Sequence, residues 1–269
     1  MTMAATTKVV NVDGARIAYR LHGRGPAVVL VNGTAALDAH WGPVIAELGK
    51  HRTVISLDYS GSGDTTDDGG ALSLQKLARQ VRVVAGAAGV DRFDLIGHSL
   101  GAAIAIQLAA SSPDLVRSLI VVAGFSSGAE PRLKLQFELW LDLLRTNRDA
   151  FLRLLLLSGL TPAFVSSVGA TTIEDMIKGY VPLANWEGIA RQVELDLAVD
   201  VSGQAGSVTS PTLVINCAYD QIVTQTPELA AIIPGSICRQ ISAGHLAYFE
   251  AADEFLSLAT EFLRQRDSY

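Results

Sequence analysis

Apolar residues run with little polar interruption at 27–31 (AVVLV), 53–57 (TVISL), 93–97 (FDLIG), 115–122 (LVRSLIVV) and 212–216 (TLVIN). Such runs suit strands inside a parallel sheet covered on both faces, because neither side of the strand meets water. Between them the period changes. Leu74, Leu77, Val81 and Val84 share one helical face in a segment that closes at Gly89, and residues 100–111 read as a helix of small residues. A further strand-like segment at 236–241 precedes a final amphipathic helix. The alternation predicts an α/β fold built on a doubly wound, mostly parallel sheet. Segments 8–12 and 16–21 flank Asp13-Gly14, a hairpin turn signal, so an antiparallel pair is expected to start the sheet.

The alternation stops near Gly124 and resumes near Pro211. Within the gap, Leu133, Leu135, Leu139, Trp140, Leu143 and Leu144, the run from Phe151 to Leu157, and Val193 with Leu197 mix helical spacing with a leucine excess. A stretch this long is expected to be structured rather than a loop. We therefore assign 126–205 to a helical insertion, a mobile cap, and 1–125 with 206–269 to the core. Most of these leucines are expected to pack between the cap's own helices, and a minority to line a pocket.

Composition narrows the class. The 269-residue chain is 49% hydrophobic and 18% charged, with a formal charge of −6. An acidic balance gives no support to binding the phosphate backbone of nucleic acid. The N-terminal MTMAATTKVVNVDG lacks a signal-like apolar core, and the greasiest run, FLRLLLLSGL, is too short to span a bilayer and holds Arg153. A cytoplasmic protein is expected, a monomer or homodimer with a small-molecule substrate and no membrane or nucleic-acid partner. Cys217 and Cys238 are the only cysteines and are expected to be free, buried thiols; no spacing suggests a metal site or a cofactor.

The candidate chemistry lies in LIGHSLGAAIA at 95–105. Ser99 follows a strand and opens a helix, the setting of a nucleophile elbow, with Gly97 and Gly101 where a side chain would collide with the neighbouring strand or helix. A serine N-cap is the alternative, but a cap would not require glycine on both sides. A serine hydroxyl needs a base, and the base an orienting acid. CAYDQIV places Asp220 after strand 212–216, and SAGHLAYFE places His245 after strand 236–241, both at carboxyl ends where open α/β sheets gather their sites. Asp220 could instead cap a helix near Gln225, and Glu130 is a reserve acid. His98 is read as shaping the pocket. His22, His40 and His51 show no partner pattern and are read as surface or packing residues.

With Ser99, Asp220 and His245 in that chain order, and with LVNG, LDYSGSG, GHSLG and GHLAYFE in place, the sequence resembles the α/β-hydrolase superfamily, in its serine-nucleophile branch. The resemblance implies an oxyanion hole from the backbone N–H groups of Leu100 and Thr34. Relatives usually carry His-Gly where this chain has Asn32-Gly33; enol-lactone hydrolases are among those with asparagine. Asn32, Gly33, His98, Trp140, Leu144 and Trp186 are the candidate pocket residues. The implied function is hydrolysis of a medium-sized, largely apolar ester, lactone or thioester through an acyl-serine. Elimination, acyl transfer and carbon–carbon cleavage in the same pocket are alternatives, as is a non-catalytic ligand receptor. GSGDTT at 61–66 superficially matches a dinucleotide-binding turn, but Thr66 stands where a third glycine belongs, and Asp64, Asp67 and Asp68 would repel a pyrophosphate. It is read as an exposed acidic loop.

Overall fold

A computed structural model of the chain describes residues 6–266, with only the backbone given at positions 38 and 39. Met1 to Ala5, part of the N-terminal segment considered above, lie outside the described residues. In chain order the elements are β1 (Lys8–Val12), β2 (Ala15–His22), β3 (Ala27–Val31), α1 (Gly42–Leu48), β4 (Thr53–Asp58), α2 (Leu74–Ala87), β5 (Phe93–His98), α3 (Leu100–Ser111) and β6 (Val116–Val122). There follow α4 (Pro131–Thr146), α5 (Arg148–Gly159), α6 (Pro162–Tyr180), α7 (Trp186–Ala198) and α8 (Ser202–Ala205). The chain then returns to the sheet with β7 (Thr212–Cys217), α9 (Thr226–Ile232), β8 (Ile237–Ile241), α10 (Ala247–Glu250) and α11 (Ala252–Arg264).

The eight strands form one sheet in the order β1-β2-β4-β3-β5-β6-β7-β8, in which β1 and β2 pair antiparallel to their neighbours and β3 to β8 run parallel. The apolar runs are its interior: every residue of β3 and β5 is buried. Asp13 and Gly14 both take positive φ (49° and 77°), the geometry of a type I′ turn, and so close the first hairpin. α3 is buried almost all round, which is why it carries small and aliphatic residues without a polar face.

All of α4 to α8 lies between β6 and β7, so the leucine-rich segment is helical. Most of its leucines pack inside and a few line a cavity, with three exceptions among those named above. Leu133 and Leu144 are buried, but Leu135, Leu139 and Leu157 sit on outward faces of α4 and α5 and are exposed. The cysteines also differ from the prediction. Both are free, yet only Cys217 is buried; β8 is the edge strand, and Cys238 on it is exposed. Among the described residues no helix is long and apolar enough to cross a membrane.

Candidate active site

Three loops converge at the carboxyl ends of the parallel strands. The first is the turn between β5 and α3. Ser99 sits there at φ 54° and ψ −119°, a conformation that a residue other than glycine adopts only when its surroundings hold it. Its side chain makes no capping bond to α3, which removes the N-cap reading. Close packing holds the turn. A Cβ on Gly97 would lie 2.3 Å from the carbonyl oxygen of Gly101, and one on Gly101 would lie 2.2 Å from that of Val31. Because backbone atoms are the obstacles, the strain cannot be relieved by a rotamer change. Gly101→Ala is therefore expected to cost about 1–3 kcal/mol, seen as a lower Tm, and to displace Ser99 from its place over β5.

The second loop follows β7. Asp220 is held from both sides: Oδ1 accepts the backbone N–H groups of Ile222 and Val223 at 2.8 Å each, and Oδ2 lies 2.7 Å from Nδ1 of His245. It does not cap α9, whose first turn starts beyond Gln225 without a side-chain cap. Glu130, the reserve acid, is committed elsewhere, since its Oε2 caps α4 by accepting the N–H of Leu133 at 2.9 Å. His245, on the third loop after β8, is buried, and its ring lies 4.6 Å from that of His98. His98 donates Nε2–H to the carbonyl oxygen of His245 at 2.9 Å and so fixes the loop that carries it. Burial, then the field of His245, hold the His98 pKa well below the usual histidine value, so His98 stays neutral.

A cavity of about 340 Å³ opens over Ser99. Ser99, His98, His245 and Thr34 form its floor, and Trp140, Leu152, Leu155, Leu156, Ile177 and Leu183 of the insertion form much of its apolar wall. Among the described residues no direct hydrogen bond joins Ser99 Oγ to His245. Of the six candidate pocket residues, only His98 and Trp140 line this cavity. Asn32 is buried behind it, its Oδ1 accepting the indole N–H of Trp41, so asparagine anchors the turn in place of the usual histidine. Gly33 packs against Nδ1 of His98 and Cβ of Ser99. Leu144 and Trp186 line a separate surface cleft with Arg148, whose guanidinium stacks 5.1 Å from the Trp186 ring centre; α4 and α7 turn these residues away from Ser99.

Several residues of the site carry no motif. His40, read above as surface or packing, lines the cavity; its Nδ1 accepts the Leu37 N–H at 3.2 Å and its ring stacks on Tyr180. The turn after β3 is clamped to the insertion. Tyr180 donates to the carbonyl of Ala35 at 2.6 Å, the N–H of Ala35 donates to Gln192 Oε1 at 2.9 Å, and the Thr34 hydroxyl meets Asp196 Oδ2 at 2.5 Å. From below, the hydroxyl of Tyr59 reaches the carbonyls of Asn32 and Gly33 at 3.1 and 3.2 Å. One signal was available: Gln192 and Asp196 are polar residues four apart on the apolar face that Ile189 and Val193 define. The acidic loop also differs from its reading, because Asp67 is drawn inward to Arg191 of α7.

Comparison with known proteins agrees with this fold. A sequence model of the alpha/beta hydrolase family matches residues 28–258. Pyrrolizixenacetamide deacetylase of Xenorhabdus hominickii is 44% identical over 96% of this chain and 98% of its own length. The fold matches that of the enol-lactonase of Burkholderia xenovorans LB400 with a TM-score of 0.86 at 24% identity, covering 96% of this chain and all of that one. A thermophilic esterase from Thermogutta terrifontis matches with a TM-score of 0.86 at 21% identity, covering 97% and 99% of the two chains. The strand order, the strained serine turn and the family match together place this chain in the alpha/beta hydrolase family.

Proposed function

We propose that the chain is a serine hydrolase that opens an apolar ester or amide through an acyl-Ser99 intermediate, with α4 to α7 acting as a cap over the substrate. The observation that carries this reading is the convergence of Ser99, at positive φ, with a His245 already oriented by Asp220, on one largely apolar cavity. Because Asp220 accepts from Nδ1, His245 keeps its Nε2 lone pair for the serine proton. Ser99 Oγ attacks the carbonyl carbon as His245 takes its proton, and the carbonyl oxygen becomes an oxyanion. Leu100 N–H, at the start of α3 where no intrahelical acceptor is available, and Thr34 N–H face that charge. Collapse of the intermediate expels the alkoxide or amine, which receives the proton from His245. Water then repeats the sequence on the acyl-serine and releases the acid.

Amides enter beside the esters, lactones and thioesters expected from sequence, because the 44% identical relative is a deacetylase of an acetamide. The wall of leucines, isoleucine and tryptophan favours an apolar body in either case. Each methylene added to the substrate is expected to strengthen binding by up to about 0.8 kcal/mol until the cavity is full. A series of acyl and amine chain lengths, compared by kcat/KM, checks this; a flat series contradicts it. Elimination is distinguished by turnover in ¹⁸O-labelled water. Hydrolysis puts one labelled oxygen into the acid product, whereas elimination puts none.

A further inference from the structure

Asp196 is fully buried on α7 and points into the turn that carries Thr34. One carboxyl oxygen, Oδ2, meets the Thr34 hydroxyl at 2.5 Å, while Oδ1 is buried with no hydrogen-bond partner among the described residues. An ionised carboxylate in this place would leave a charged oxygen unsolvated, which is far more costly than leaving an under-used neutral carbonyl. Among the described residues, the groups facing it supply no positive charge. Thr34 comes from the turn after β3 and Tyr59 from the residue following β4. Arg191, the nearest cation along α7, is engaged with Asp67 and the carbonyl of Gly70. Burial raises the carboxyl to about 8, opposed only by the Thr34 bond. Tyr59 is itself kept protonated by burial.

A neutral carboxyl has a proton to give, and Thr34 Oγ1 is the acceptor in reach of Oδ2. The threonine hydroxyl hydrogen is then released from Asp196, and Thr34 lines the cavity beside Ser99. We propose that Asp196 is a positioning residue that donates to Thr34 Oγ1 and turns the threonine hydroxyl toward the cavity, where it gives the substrate's carbonyl oxygen a third hydrogen bond beside the N–H groups of Leu100 and Thr34. This rests on the acyl-serine reading, which locates the oxyanion. When Asp196 loses its proton to solvent, the Thr34 hydroxyl turns back to the carboxylate, and the third donor is lost while a negative charge appears behind the oxyanion.

The test is kcat/KM against pH for the wild type, Asp196→Asn, Asp196→Leu and Thr34→Val. The wild-type value falls at alkaline pH with an apparent pKa near 8. Asp196→Leu and Thr34→Val each lower neutral-pH kcat/KM by about ten-fold or more, mainly through kcat. Asp196→Asn, whose amide N–H donates to Thr34 as the acid does, recovers most of the loss seen with leucine and abolishes the alkaline fall, since an amide does not titrate. Infrared difference spectra of wild type minus Asp196→Asn show a protonated carboxyl band below the transition and its loss above it. The raised pKa also makes the folded state hold this proton more tightly than the unfolded one, so stability falls as pH rises toward 8; Asp196→Asn removes that slope in Tm. An alkaline fall that persists in Asp196→Asn, an asparagine variant no better than leucine, or no protonated carboxyl band below the transition overturns the proposal. If acyl-Ser99 accumulates in the wild type while these variants fail so, the hydrolase reading stands alone; if Ser99 is never acylated, both fall.

Discussion

Ser99→Ala is expected to lower turnover of an ester or amide substrate on the order of 10⁴- to 10⁶-fold while binding of an unreactive analogue persists. The turn should survive the change. Alanine takes the place of a residue already held at φ 54° by the packing of Gly97 and Gly101, and the lost hydroxyl caps nothing in α3. Much of the cavity wall comes from the insertion and is untouched by the change. Thermal melting and analogue binding establish that the variant is folded; steady-state kinetics then reads the loss. A folded variant retaining a tenth of wild-type turnover is incompatible with an acyl-serine pathway.

Asp220→Asn is expected to cost about 10⁴-fold in kcat with little change in fold. Asparagine can keep its Oδ1 on the N–H groups of Ile222 and Val223, so the loop after β7 remains in place. That leaves the amide NH₂ facing His245 where Oδ2 stood, 2.7 Å from Nδ1. A donor there forces Nδ1 to accept, and the ring proton moves to Nε2, the nitrogen that must receive the serine proton. The base is then present in the wrong tautomer. Glu130→Gln is the control: it removes a charge from the cap of α4 rather than from His245, and kcat is expected to change less than about two-fold. Comparable losses in the two variants would show that the acid has been misassigned.

How legible this was depended on how local the signal is. Strands β3 to β7 could be read because burial on both faces leaves an unbroken apolar run, and the elbow because its glycines and serine lie within five consecutive residues, 97–101. Asp220 and His245 were picked out by their place after two strands. Trp140 was found by its size and helical spacing, but the same reasoning chose Leu144 and Trp186, which lie on a different side of the insertion. Helical periodicity says which residues share a face and not which neighbour the face meets. His40 was misread, and Gln192 and Asp196 went unread, for the same reason: Gln192 and Asp196 act across a long sequence separation on the turn after β3, His40 lines the cavity there, and only the docking of the insertion brings them together. Cys238 was misplaced because an edge strand and a central strand carry similar short patterns while differing in exposure.

The central claim is a covalent bond between Ser99 and the substrate's acyl group. Wild-type protein mixed with excess ester, quenched in acid during the first turnovers and digested, is analysed by mass spectrometry of the peptide that contains LIGHSLGAAIA. This peptide is expected to gain the acyl mass at Ser99, with the adduct appearing as fast as the burst of alcohol and absent from Ser99→Ala. Product released at the full rate with Ser99 unmodified throughout would contradict it.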